Sequence, residues 1–288
     1  MTSGVDLVAT LGPLRQGPFD PTIDLHAEHA RLALDTPAGP ATLELFDDGD
    51  RRAHGPGATW ALGRVDHLLG VHDDARDFDP SLHPVVARLA RRRSGLRLCA
   101  SGRVLPALVP TILAQKVTSE EAHRSWRALV RRYGSPAPGA PDLLVPPDAA
   151  TLAALPYYAL HPFGIERRRA DAIRRAAASA SRLETVVDDP GALGARLRSI
   201  PGIGPWTEAK VRQVVAGDPD AVPVGDYNLP SLVAWNLADE PRADDERMLE
   251  LLEPFTGHRA RVLRLLILGG DEPPRYGPKR PLRSIARI

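Results

Sequence analysis

Along most of this chain apolar residues recur at intervals of three and four, and the exceptions gather in the first eighty positions. There, 7–11, 30–34 and 41–46 are short apolar runs of strand character, and Asp47-Asp48-Gly49-Asp50 supplies turn chemistry after the third. A helix-spaced segment at 60–69 follows, so residues 1–80 are expected to form a small α+β sheet domain. From residue 81 the helical period dominates and predicts helices at 83–93, 105–133, 149–154, 165–180, 190–199, 205–216, 230–237, 244–252 and 257–268. Proline- and glycine-rich breakers separate them, and 134–148 reads as one long loop. The fold class this predicts is mainly α with an N-terminal α+β domain at 1–80, a helical part at 81–288 and an extended basic tail at 271–288.

The densest signal is Leu197-Arg198-Ser199-Ile200-Pro201-Gly202-Ile203-Gly204-Pro205-Trp206-Thr207, followed by Val224-Gly225-Asp226-Tyr227-Asn228. Leu193, Leu197 and Ile200 have helical spacing, and Pro201 ends that helix because it lacks an N–H and restricts the residue before it. Gly202 and Gly204 permit positive φ and let a foreign backbone approach closely. Pro205 suits a first helical turn, in which Thr207 has the option of a local bond. The expected result is a hairpin at 190–216 between two helices, the second presenting unpaired N–H groups that suit a phosphate. An ordinary helix-to-helix turn is an equal reading of these residues alone. A dinucleotide site is not, because no third glycine follows and no strand precedes. Asp226 by itself reads as an N-cap ahead of Pro230, a role compatible with catalysis.

Taken with Asp226, the hairpin resembles the helix-hairpin-helix DNA glycosylase superfamily and most resembles its 3-methyladenine DNA glycosylase II branch. Ile112-Leu113-Ala114-Gln115-Lys116-Val117-Thr118 is similar to the segment by which that branch enters the DNA minor groove. Gly164-Ile165-Glu166-Arg167-Arg168-Arg169-Ala170 and Leu252-Glu253-Pro254-Phe255 extend the likeness, in consistent order, over residues 81–275. The resemblance implies a two-lobed helical glycosylase fold behind a small sheet domain, and a monofunctional enzyme that hydrolyses the N-glycosidic bond of alkylated purines (3-methyladenine, 7-methylguanine) in base excision repair. It implies Asp226 as the catalytic carboxylate and Trp206 and Tyr227 as walls of the base pocket. Lys210 and Arg264 fall where the branch can carry aromatics, and a cationic wall disfavours a cationic base. Gln115, Lys116, Pro201, Gly202, Ile203, Gly204 and Thr207 are implied against DNA, although Lys116 replaces a wedge that is usually apolar and reads equally as a solvated helix-end lysine. A monovalent cation on the backbone carbonyls of residues 200–204 is also implied, with no other cofactor.

The chemistry suits a single carboxylate. As a base departs, positive charge develops on the sugar, and a nearby carboxylate stabilises it and orients the attacking water. A leaving base that is already cationic needs no separate acid. Strand-cleaving relatives resemble this hairpin but place a lysine where Trp206 stands, and an indole cannot form a Schiff base. Lys210, one helical turn onward, is the weaker substitute for that nucleophile.

Charge changes the picture only after division. The net charge is +1, yet residues 1–80 carry six arginines against fourteen carboxylates, net −8, and the remainder carries +9. A basic second part supplies the sequence-independent attraction that DNA binding requires, while Arg91-Arg92-Arg93 and Arg167-Arg168-Arg169, taken singly, read as solvated helix faces. Tyr157 and Tyr158 read as core residues beside the proline-rich loop or, as the lesser reading, as further stacking surface for a base. Cys99 is the single cysteine, which excludes an internal disulfide and a four-cysteine cluster. The histidines lack an H-E-x-x-H pair, and Asp218, Asp220 and Asp226 sit among prolines that make a rigid loop a better account than a metal site. With no run of eighteen apolar residues and no leader pattern, the expectation is a soluble, monomeric, cytoplasmic and nucleoid-associated protein whose partner is double-stranded DNA with damaged bases, and no membrane. The alternatives are a catalytically silent damaged-DNA-binding protein and a glycosylase for another lesion.

Overall fold

The computed structural model describes residues 4–274. The basic tail, from residue 275, lies outside the described residues. Asp6 accepts a hydrogen bond from the Ala9 amide and so caps α1 (Leu7–Leu11), where the apolar run predicted a strand. Five apolar residues without alternation fit either element, and the cap decides for the helix. The other two runs lie inside β2 and β3 of an antiparallel sheet ordered β1 (Ile23–Leu25), β2 (His29–Thr36), β3 (Gly39–Phe46) and β4 (Arg51–His54). The pairs Ala30↔Leu45 and Leu32↔Leu43 place buried side chains on one face. The predicted 60–69 helix is two short ones, α2 (Ala58–Gly63) and α3 (Val65–Leu68), parted at Arg64.

The helices that follow are α4 (Pro84–Arg92), α5 (Val104–Leu113) and α6 (Ser119–Tyr133). The single helix expected at 105–133 is therefore broken. Thr118 accepts from the Glu121 amide while the Glu121 carboxylate accepts from the Thr118 amide, a capping box that starts α6 anew. Just before it, Lys116 takes a left-handed conformation, φ 59°.

The stretch expected as a loop contains a hairpin, β5 (Ser135–Ala137) and β6 (Ala140–Val145), turned at Gly139 with φ 75°. Its prolines are tolerated because a two-stranded ribbon has only edge strands. Ala137, Ala140, Leu143 and Val145 pack with Ala33 of β2, and Arg31 bonds both Asp24 and Asp142, so the ribbon lies on the N-terminal sheet.

Beyond it run α7 (Ala149–Ala154), α8 (Tyr157–Leu160), α9 (Arg167–Ala178), α10 (Ala180–Glu184), α11 (Pro190–Arg198) and α12 (Pro205–Val215). The last three are α13 (Leu229–Ala238), α14 (Asp245–Leu252) and α15 (Arg259–Gly269). Two helical cores result. Val104, Leu108, Ile112, Trp126, Ile173, Leu197, Val211 and their neighbours join α5, α6 and α9 to α12 in one. Val86, Leu89, Leu229, Val233, Met248, Leu252 and Leu266 join α4 to α13, α14 and α15 in the other, with Ala9 of α1 among them. This is a mainly helical, two-lobed architecture with a small N-terminal sheet.

Candidate active site

One hydrogen bond joins the two helical cores beside the hairpin. Trp206, in the first turn of α12, donates its indole N–H to the Asp226 carboxylate at 2.8 Å. The other oxygen of that carboxylate accepts the amides of Asn228 (2.9 Å) and Leu229 (3.1 Å) at the start of α13. Capping of α13 and the bond to Trp206 thus coexist at Asp226, which is half-buried. Gly225, with φ 91° and its amide on Asp245 of α14, fixes the approach of the chain to this point.

The hairpin has the expected form. Pro201 follows α11, the Ile203 amide returns to the Ile200 carbonyl at 3.0 Å, and Gly202 takes φ 101°. A Cβ on Gly202 would stand 3.1 Å from the Ala172 Cβ of α9, so glycine serves both the turn and the close packing. Gly204 departs from expectation: its φ is −101° and ψ −179°, extended backbone at the N-cap of α12. The space before it is open, with no atom within 4 Å of an added Cβ. Among the described residues the amides of Gly202, Gly204, Trp206 and Thr207 have no acceptor. Pro201 and Gly202 are exposed, whereas Ile203 is buried beneath them as the anchor.

Gln115 and Thr207, expected against DNA, are turned towards each other. The Gln115 amide group donates to the Gly202 carbonyl (3.0 Å) and to the Thr207 hydroxyl (2.9 Å), and the Thr207 side chain is enclosed. These side chains clamp the 114–118 loop to the hairpin, which leaves Lys116 exposed at the loop's tip. A residue that the sequence reading passed over completes the clamp. Arg169, expected as part of a solvated face, is buried and donates to the Leu113 carbonyl at the end of α5 and to the Gly164 carbonyl. Its spacing on α9 against Ala170, Ile173 and Ala177 was the available signal. Arg175, further along α9, reaches the Pro201 carbonyl at 3.3 Å.

Lys210 follows Trp206 by one helical turn and so shares its side of α12. Burial pushes its pKa down from the usual lysine range; the Asp226 carboxylate opposes that shift and Arg264 adds to it. The Arg264 guanidinium, on α15, donates to the Ala9 carbonyl at 2.7 Å, and burial lowers its pKa too. Tyr227 is largely exposed at 82 %. Tyr157 and Tyr158 are also exposed, contrary to the core reading, and meet edge to face, with Arg167 over the Tyr157 ring.

Asp218 pairs with Arg212 and Asp220 with Arg259, and no metal-ligating cluster occurs among the described residues. Cys99 is buried, its thiol pushed up to about 11, which makes it an inert packing group. No helix among the described residues is long and apolar enough to cross a membrane.

No protein-family model matches the chain, and no curated protein sequence matches it. Solved structures do. A 3-methyladenine DNA-glycosylase from Archaeoglobus fulgidus superposes with TM-score 0.75 at 17% identity, over 92% of this chain and 95% of its own. An 8-oxoguanine glycosylase/lyase from Clostridium acetobutylicum, in complex with double-stranded DNA, superposes with TM-score 0.69 at 12% identity, over 92% and 91%. The chain has the helix-hairpin-helix DNA glycosylase fold. A 3-methyladenine DNA glycosylase from Schizosaccharomyces pombe, in complex with abasic DNA, covers 65% of this chain and 92% of its own with TM-score 0.54 and 17% identity. The glycosylase fold is thus matched over both lobes and the sheet, by proteins named for different lesions.

Proposed function

We propose that this protein is a monofunctional DNA glycosylase that hydrolyses the N-glycosidic bond of a damaged base, with Asp226 as its catalytic carboxylate. The observation that carries the reading is the bond between Trp206 and Asp226, which holds a carboxylate at the junction of the two lobes beside a hairpin whose Gly202, Gly204 and Trp206 amides have no acceptor among the described residues. In the proposed mechanism those amides, chiefly of Gly202, Gly204 and Trp206, receive a phosphate beside the lesion. Lys116 enters the space left by the extruded nucleotide, its methylenes filling the gap and its ammonium turned towards phosphate. Asp226 stabilises the positive charge that develops at the sugar and takes the proton of the attacking water.

Trp206 stands on the first turn of the second hairpin helix, and an indole offers no amine to the sugar aldehyde, which supports hydrolysis without strand cleavage. The hairpin is also proposed to hold a monovalent cation. The Ile203 carbonyl fits that group, since among the described residues it accepts no hydrogen bond; a bound cation would fix the hairpin and add positive charge near the phosphate.

Trp206 and Tyr227 support alkylated purines as substrate by offering aromatic faces to an electron-poor ring. Lys210 opposes them. A catalytically silent DNA-binding protein is the lesser reading, because a carboxylate facing bound DNA repels phosphate and a binding module has no need of one there. The deciding experiment incubates the protein with methylated DNA and with duplexes bearing single lesions, and assays free base. Base release with strand scission only after alkali, and no borohydride-trapped adduct, is the expected result. A protein that binds abasic duplex yet frees no base would overturn it.

A further inference from the structure

Lysine is scarce in this chain. Three of its 37 basic residues are lysines, at 116, 210 and 279, and all the others are arginine. The buried arginines among the described residues are occupied, Arg169 by two carbonyls and Arg261 by Asp73, and the half-buried Arg103 pairs with Asp35 and Glu184. Lys210 is the contrast. It is half-buried, lies one turn behind Trp206 within the field of Asp226, and has no hydrogen-bond or ion-pair partner among the described residues. Burial and the Arg264 guanidinium both disfavour its charge, and the Asp226 carboxylate favours it.

An ammonium kept without a partner in such a place is suited to receive negative charge. A base that is cationic before cleavage leaves as a neutral molecule, needs no such donor and is repelled by it. A neutral base leaves as an anion and needs one. We propose, resting on the glycosylase reading above, that Lys210 contacts the departing base and sets the site for a neutral, carbonyl-bearing base, the oxidised or deaminated class, in preference to an N-alkylated cationic purine.

In that reaction the C1′–N bond breaks and its electron pair stays on the base. Lys210 hydrogen-bonds the base and gives it a proton, which the amine recovers from solvent. The water oxygen bonds to C1′ while its proton passes to Asp226. A lysine is fitted to this as arginine is not, since its ammonium can give up a proton and turn three donors towards whichever acceptor the base presents.

The test measures single-turnover release from duplexes carrying one hypoxanthine, 8-oxoguanine, uracil or 7-methylguanine, using the full chain, Lys210→Met and Lys210→Arg. The wild type is expected to free at least one neutral base about tenfold or more faster than 7-methylguanine. Lys210→Met is expected to lose about a hundredfold on that neutral base, in the range of general acid catalysis, and to hold or gain rate on 7-methylguanine, from which a repelling cation has been removed. Lys210→Arg restores part of the loss. Affinity for abasic duplex verifies that each variant is folded. Faster release of 7-methylguanine by the wild type, or an equal loss on both classes in Lys210→Met, overturns the proposal while leaving the glycosylase reading intact. A borohydride-trapped adduct that disappears in Lys210→Met overturns it by making Lys210 a nucleophile towards the sugar. Failure to release any base, with abasic binding kept, sinks both readings and locates the fault in the glycosylase assignment.

Discussion

The two ends of α12 are built on opposite rules. At its C-terminal half Arg212 bridges Glu208 and Asp218, both nearly enclosed, and the Val214 and Val215 carbonyls accept the Ser101 and Gly102 amides at 2.9 and 3.0 Å. Gln213 adds a bond to the Ala221 carbonyl at 2.7 Å. At the N-terminal end the amides of Gly204, Trp206 and Thr207 have no acceptor among the described residues, and Pro205 is exposed. Native proteins satisfy nearly all their buried polar groups, so the closed end is the ordinary one and locks the helix in its lobe. The open end is held in place by the closed end and kept available for a partner. One helix is thus closed by ion pairs and backbone bonds at one terminus and leaves its amides without acceptors, among the described residues, at the other.

The comparison is broken most directly at the open end. Asp226→Asn is expected to slow base release by about a thousandfold or more, the scale of losing a charge-stabilising group in a reacting site, with binding to abasic duplex unchanged or tighter. Single-turnover kinetics decide it, and a rate within about tenfold of wild type would reassign Asp226 to capping alone.

At the closed end the largest effect is on stability instead. Arg212→Met removes the cation shared by two buried carboxylates and is expected to cost about 3–5 kcal/mol in urea unfolding, as when one partner of a buried pair is lost. The folded fraction should free base at a rate within about threefold of wild type. A large rate loss without destabilisation would show that the two ends are not separable.

A smaller change falls on Trp206. Trp206→Phe keeps an aromatic face but removes the 2.8 Å bond to Asp226, so base release should slow about tenfold, roughly the 1.4 kcal/mol that one hydrogen bond to a charged group contributes. Unchanged kinetics would mean that the two caps at Asn228 and Leu229 suffice to place the carboxylate.

The mildest test sharpens the contrast without disturbing the fold. Gly204→Asp puts a good N-cap residue where the backbone is already extended and the space is open. Stability should hold or rise by a few tenths of a kcal/mol, while affinity for abasic and undamaged duplexes falls severalfold alike, and more so at low salt. Loss confined to lesion DNA would place the hairpin in the base pocket rather than on the phosphates.

Much of this helix was legible in advance because its signals are local. Pro201, Gly202 and Pro205 state where one helix stops and the next begins, and Asp226 follows within the same short stretch. The same kind of signal was present and passed over in Thr118 and Glu121, whose capping box divides the predicted 105–133 helix. The strand predicted at 7–11 failed for want of alternation, and the proline-rich ribbon at 135–145 failed because its reason to form is the sheet it packs on.

What the sequence by itself determined is the set of elements whose cause lies within a turn or two of chain: the hairpin, most helix boundaries, the two central strands and the candidate carboxylate. Tertiary structure alone decided what those residues face. Trp206 meets Asp226 across the two lobes, Gln115 closes on Gly202 and Thr207 from 87 and 92 residues away, and Arg169 leaves its expected solvated face to hold the end of α5. Hydrophobic period and capping residues act over a few positions and fix local geometry. Whether a polar side chain is partnered, as Arg169 is, or left without a partner among the described residues, as Lys210 is, depends on groups that only the packing of distant helices brings within reach.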